Sequence, residues 1–530
     1  MEKQSVLEFL SSFVKQQKSE VNYGTYRETT RSSLLKDGLG TRANSVWKQS
    51  QFVVAFMDDS GARPLNDYLK GWNQLTRGIF EQYLVLEEPK GTWTVYDKDG
   101  NNKGGIDYLK SVPQHRIGNL SSLESEMPSD YKESSYYSIS VAAKSKPFIL
   151  LAGISGTGKS RIVKKMAFDS CPNIDDFQKD ETSPGNYQLV EVKPNWHDST
   201  EVLGYESEIG GIHYVTTPFI KFLVKAMCYP DIPFFVCMDE MNLAPVEQYF
   251  AEFLSVLESR KLIDGKITSE PLLKADVFNK AYAYKHDIFV ELGLKKVPTS
   301  VGKTENEKLG KEATTEAFDR QDIVQKLQEE GLRLPENLIV IGTVNMDETT
   351  HQFSRKVIDR AMTIEMNIAD GTEAFDNFFK NREELKYRNE PISKDIFLPR
   401  YVQASEAMDS MVEEDRKYLI ENVPQKLIEL NGALNNTPFK IAYRVQNELV
   451  LYFSSLRQEN AETAKEELFA TALDGILMMK VLPRIEGDED LLENPLDMLA
   501  NYTQGLSQSA KKVKEMSDRL KTAHFTSFWP

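Results

Sequence analysis

No apolar run in this 530-residue chain reaches the roughly 18 residues a membrane helix needs, so no transmembrane span and no membrane partner are expected. The start, Met1 to Gln4, leads into a short apolar patch, Val6 to Val14, that Glu8 and two serines interrupt. It reads as an amphipathic helix and a poor signal peptide. Cysteine is scarce: Cys171, Cys228 and Cys237 are an odd count without metal-ligand spacing, as expected of reduced thiols in a cytoplasmic protein. The six histidines show no metal spacing either. No Pro-Asp…(Asp/Glu)-x-Lys grouping lies in a strand-pair context, so any cutting of DNA is left to another polypeptide. Positive charge is also short. With 64 Lys and Arg against 80 Asp and Glu the net is −16, which argues against a chain that coats nucleic acid without specificity.

What is present is an ordinary globular composition, 40% hydrophobic and 27% charged, on a length that implies two to four domains. The acidity is uneven. Residues 1–140 carry 17 basic and 18 acidic side chains, so nearly all the negative charge lies beyond them. Arg27, Arg31, Lys36, Arg42 and Lys48 stand among small polar residues and Trp47. A basic surface with an aromatic can grip a nucleic-acid backbone, although a solvated helix face or loop is the favoured reading. Residues 1–140 read as a separate α+β domain. It has an apolar stretch at Gln51–Met57, a helical pattern at Leu65–Phe80, and a hairpin made by Thr92–Tyr96 and the turn Asp97–Asn101. That turn resembles a calcium loop only superficially, since its glycine comes too early and the closing Glu is missing. A Ser/Glu/Tyr-rich stretch, Ser121–Ser138, has linker composition.

From 141 to 370, apolar strand-like runs alternate with helical patterns, the signature of an α/β parallel sheet. Strands are predicted at Phe148–Ala152, Tyr187–Val192, Pro233–Met238 and Leu338–Ile341, with a Lys/Glu-rich insertion over about 265–335. From 371 to 530 the pattern is helical, with helices predicted at Glu413–Leu430, Arg444–Arg457, Ala461–Leu482 and Ser507–Ala523. These suggest an α-helical lid.

The most informative stretch follows the first strand. Gly153-Ile154-Ser155-Gly156-Thr157-Gly158-Lys159-Ser160 fits G-x-x-x-x-G-K-[ST], and Arg161 opens the next helix. The glycines let the backbone turn its N–H groups onto phosphate oxygens, and the helix adds its positive end. Lys159 would reach the β- and γ-phosphates, and the Ser160 hydroxyl would ligate Mg²⁺. Roughly 80 residues on, Phe234–Met238 ends in Asp239-Glu240. A buried strand would deliver both carboxylates beside the phosphate loop, Asp239 to the metal and Glu240 to a water attacking the γ-phosphate. Leu338–Thr343 is a further buried strand, and Asn345 at its end can hydrogen-bond that water or the phosphate. Asp359-Arg360 follows a short helix; a guanidinium there can reach a neighbouring subunit's γ-phosphate. The bland alternatives are a turn Asn and a surface Asp–Arg pair.

Together these residues resemble the AAA+ class, and more closely the McrB family of restriction NTPases, over roughly 145–485. The blocks that carry the likeness are Val192–Tyr205, Met238–Phe250, Gly342–Thr350, Phe353-Ser354, Asp359-Arg360-Ala361 and Lys480–Arg484. The resemblance implies that Asn345 is the sensor-1 residue and Arg360 the finger acting across subunits. It implies that Arg444, in Ile441–Arg444, is a lid sensor contacting nucleotide. It also implies a ring, usually a hexamer, that uses GTP with Mg²⁺ and drives a McrC-type endonuclease partner on DNA. The chain departs from the family's Met-Asn-x-x-Asp-Arg, with Glu348 where the Asp is expected, Thr349 where the Arg is, and Asp347 one residue early. It has no Asn-Lys-x-Asp, and a phosphate loop reads only phosphates, so GTP over ATP rests on the resemblance.

Two other functions compete with a ring NTPase. One is a nucleotide-switched module that binds DNA or protein through its N-terminal domain; intact Lys159, Asp239, Glu240 and Asn345 favour hydrolysis over a silent switch. The other is a protein-remodelling ring, whose pore loops would draw an aromatic from Trp196, Tyr205 or Tyr214.

Overall fold

The computed structural model describes residues 83–87, 93–97, 102–105, 135–209, 211–280, 287–295, 320–346, 353–366 and 385–529. The chain forms two units, Met1–Ser125 and Glu126–Pro530. In the first, β1 (Tyr83–Glu87), β2 (Trp93–Asp97) and β3 (Asn102–Gly105) make an antiparallel sheet in that order. The expected hairpin is thus flanked by β2 and β3, with β1 as a third strand. The sequence features at Val6–Val14, Tyr26–Lys48, Gln51–Met57, Leu65–Phe80 and 121–134 lie outside the described residues, as do Asp347, Glu348 and Thr349. The expected boundary at 140 would cut a helix, α1 (Ser135–Ser145), which belongs to the second unit. Its Ile139, Val141, Ala142 and Ala143 are buried in one core with the central sheet, so the division falls before it.

In the second unit the strands are β4 (Phe148–Gly153), β5 (Tyr187–Glu191), the hairpin β6–β7 (Tyr205–Ser207, His213–Val215) and β8 (Phe234–Asp239). The hairpin β9–β10 (Lys261–Ile263, Lys266–Thr268), β11 (Pro271–Leu273), β12 (Leu332–Arg333), β13 (Leu338–Asn345) and β14 (Met362–Glu365) follow. Five of them form a parallel sheet in the order β14-β4-β13-β8-β5. The four predicted strands are there; β14 is the one the sequence reading missed.

Both faces of the sheet are covered, which is why β4, β8 and β13 read as unbroken apolar runs instead of alternating ones. Ile149, Leu151, Phe235, Cys237, Ile339 and Ile341 point to one face. Phe148, Leu150, Phe234, Val236, Met238, Leu338 and Val340 point to the other. Each such side chain contributes about 1.5–3 kcal/mol when fully buried.

The first face is covered by α1, by α2 (Lys159–Ser170) and by the C-terminal helices. The second is covered by α3 (Pro218–Cys228), whose Thr217 cap accepts from the Ile220 N–H, and by α4 (Ala251–Glu258). The insertion holds β11, β12 and the amphipathic α5 (Gln321–Glu330), which buries Ile323, Val324 and Leu327. Beyond β13 comes the single-turn α6 (Arg355–Ile358). The C-terminal region is helical as predicted: α7 (Glu413–Ala433), α8 (Tyr443–Glu459), α9 (Lys465–Ile476), α10 (Glu489–Tyr502) and α11 (Ser507–Ala523).

Candidate nucleotide site

β4 stands inside the sheet, one strand from its β14 edge, and its two neighbours, β13 and β14, both come later in the chain. In an open parallel sheet the crevice outside the carboxyl ends of the strands at such a reversal is where ligands bind. The loop Gly153–Ser160 leaves β4 at that point. Gly156 and Gly158 both take φ of +83°, and nothing lies within 4 Å of a Cβ built on either. Glycine is therefore required by backbone conformation there, not by crowding. Gly158 is also the N-cap of α2 and supplies no side-chain cap, so the first turn presents bare N–H groups to the loop. Lys159 is buried and donates to the Gly153 and Ile154 carbonyls at 3.1 and 2.8 Å, which turns its ammonium into the loop's mouth.

A chain of hydrogen bonds joins this loop to the ends of β8 and β13. The Ser160 hydroxyl donates to Asp239 Oδ1 at 2.6 Å. The Thr343 hydroxyl donates to the same oxygen at 2.7 Å and accepts from the Glu240 N–H at 3.0 Å. Asn345 Nδ2 donates to Glu240 Oε1 at 3.1 Å, and Asn242 Nδ2 donates to the Asn345 carbonyl at 3.2 Å. Glu240 stands in the left-handed region at φ 51° and ψ 49°, an unusual place for a residue with a Cβ. Behind the site, burial raises the Cys237 thiol to about 12, and the neighbouring Asp239 adds to the effect, so it stays a neutral thiol.

The structure therefore brings Lys159, Ser160, Asp239, Glu240 and Asn345 together. Thr343 and Asn242 were missed by the sequence reading. Strand period places Thr343, two residues from Asn345, on the same face, but its partners Asp239 and Glu240 come from the neighbouring strand.

Among solved structures the chain is similar to a full-length MCM homolog from Methanopyrus kandleri. The identity is 9%, the coverage 76% of this chain and 74% of that one, and the TM-score 0.33. A family described as a domain of unknown function (DUF8727) matches residues 396–525, which is most of the helical region. No curated protein matches the chain.

Arg360 and Arg444 are not in this cluster. Arg360 precedes β14, and Arg444 opens α8; both lie near Glu258, at the amino ends of the parallel strands. Arg444 pairs with Glu258 at 2.8 Å, and Lys146, just ahead of β4, pairs with the other carboxylate oxygen at 3.0 Å. Burial alone would raise the Glu258 carboxyl, but Lys146, Arg444 and Arg360 together hold it below its ordinary value. At about 3.3 Å of rise per residue, the length of β4 separates this cluster from the phosphate loop by roughly 20 Å. Arg444, expected as a lid sensor contacting nucleotide, therefore stands away from its own chain's phosphate loop. The ion pair with Glu258 draws the start of α8 to the far end of the sheet, alongside Arg360.

A metal can be accommodated beside the loop. One hydroxyl and one carboxylate converge at Ser160 and Asp239, a hard-oxygen pair suited to a cation that keeps water and phosphate oxygens as its other ligands. No group of three or more His, Cys, Asp or Glu able to hold a metal occurs among the described residues.

Proposed function

We propose that this chain is an AAA+ NTPase of the McrB type. It hydrolyses GTP, with ATP as the alternative, in a ring of identical copies, a hexamer by family likeness. In that reading hydrolysis drives or regulates a McrC-like endonuclease subunit on DNA in anti-phage restriction. The observation that carries the enzymatic part is the joined network Ser160–Asp239–Thr343–Glu240–Asn345 at the mouth of a phosphate loop. The defence role and the partner rest on the sequence blocks quoted above.

In this reading the loop N–H groups and Lys159 hold the β- and γ-phosphates. Ser160 and Asp239 would hold Mg²⁺, which supplies charge neutralisation across the phosphates. Glu240, steered by Asn345, accepts a proton from the water whose oxygen attacks the γ-phosphorus as the bond to the β-phosphate oxygen breaks. Arg360 lies too far from its own loop to serve it, so the guanidinium that offsets transition-state charge comes from the adjacent copy. Arg444, paired with Glu258 in the same cluster, would in this reading serve the neighbour's nucleotide as well.

The test is complementation. Arg360→Ala should lower turnover by about 10³-fold or more while leaving nucleotide affinity intact. Glu240→Gln should do the same. Mixing the two should restore activity, because an Arg360→Ala copy still offers Glu240 to a neighbour that still offers Arg360. No recovery on mixing would sink the shared site. Phosphate release with GTP against ATP decides the base.

One observation favours a second reading, a ring that moves polypeptide. Of the three candidate aromatics, Trp196 and Tyr214 are buried, whereas Tyr205 is half exposed on the β6–β7 hairpin, whose tip carries Ile209 at 87% exposure.

A further inference from the structure

The helical region touches the Arg360 segment through a buried cation, and the inference drawn from it rests on the reading that Arg360 serves a neighbouring copy. Lys480 is 1% exposed. Its ammonium donates to the backbone carbonyls of Asp359 at 2.7 Å, Ala361 at 2.8 Å and Ile358 at 3.4 Å. These carbonyls bracket Arg360. A four-residue helix such as α6 leaves its last carbonyls without helical partners, and a cation there satisfies them and suits the helix dipole. Lysine fits the place because it offers three donors and no acceptor. The charge is balanced by Glu448 on α8, 3.0 Å away and 2% exposed, which also pairs with Lys146 at 2.9 Å. A second grip comes from Arg484, whose Nε lies 3.3 Å from Asp359 Oδ1. Burying an ammonium is costly, and an apolar side chain would pack more cheaply. Lys480 is also remote from its own chain's phosphate loop, so it has no direct part in that site.

We propose that Lys480 is a positioning residue: by clamping the backbone of 358–361 it aims Arg360 at the neighbouring copy's nucleotide, and so couples the helical region of one subunit to hydrolysis in the next. The clamp needs the protonated amine. Burial pushes Lys480 down from the ordinary lysine range to about 8; Glu448 and Asp359 oppose that shift and Lys146 adds to it. Turnover therefore falls as pH rises through about 8. The stability contribution runs the other way. Above that value the unfolded chain binds a proton that the folded chain does not, so this group makes stability rise with pH up to the ordinary lysine range.

The experiment uses the full chain with Lys480→Met. Nucleotide affinity should match wild type, turnover should drop by about a hundredfold, as displacement of a catalytic group by an ångström does, and the alkaline limb near pH 8 should vanish. Mixed with Glu240→Gln copies, which keep a clamped Arg360, the variant should recover activity. Wild-type turnover, a parallel loss of nucleotide affinity, or no recovery on mixing would each overturn the clamp. If Lys480→Met does not fold, Lys480→Met/Glu448→Met removes both charges and must give the same pattern. Failure of the underlying reading looks different: there the Arg360→Ala and Glu240→Gln mixture is itself silent.

Discussion

Glu240 holds a left-handed backbone that costs a non-glycine residue about 1–2 kcal/mol. The strain aims its carboxylate at Asn345 rather than along β8, and strain of this sort gathers at working sites. Glu240→Gly should therefore be more stable than Glu240→Ala, by about 1 kcal/mol in urea denaturation, while both lose turnover. Equal stability would show that the conformation is not strained. Thr343 is the companion case. It is 2% exposed and bridges Asp239 to the Glu240 N–H, so Thr343→Val should cost about 1–3 kcal/mol of stability and lower turnover, while Thr343→Ser keeps most of both. Lys159, Ser160, Asp239 and Glu240 were legible in the sequence because loop spacing and an apolar run ending in two acids are local signals. Thr343 was not singled out because its role exists only once β8 and β13 lie side by side.

At the scale of elements, the buried strands β4, β8 and β13 announced themselves as continuous apolar runs. β14 did not, since Met362–Glu365 is four residues long and carries a polar Thr363; it is a strand because it pairs with β4. The helices of the C-terminal region were legible from their period, whereas α10 was passed over. Its Pro495 broke the pattern, although the residue is buried there and the helix continues through it. The close approach of Met241, in the short turn Met241–Leu243 after β8, to Gly342 of β13 has a measurable consequence. A Cβ on Gly342 would lie 2.5 Å from Met241 Sδ and 3.0 Å from Leu150 Cδ2. Gly342→Ala should cost about 1–3 kcal/mol by overpacking. In a Met241→Ala background the added cost should shrink, and a double-mutant cycle in thermal denaturation would show no coupling if the contact is unimportant.

For the whole molecule, the far-end position of Arg360 and Arg444 could not be foreseen from spacing, because it depends on which strand ends face which way. Sequence order put Arg444 in the helical region; only Glu258, at the end of α4, explains why it stands with Arg360 instead of with Lys159. On the proposed reading, an arc of n copies completes one site fewer than n, and closure of the circle completes the last. Specific activity per chain should then rise with protein concentration and level off once circles close. A flat rate down to the dilution at which light scattering finds single chains would contradict this. On that reading a lone copy, however well folded, holds two halves of a catalyst that face in opposite directions.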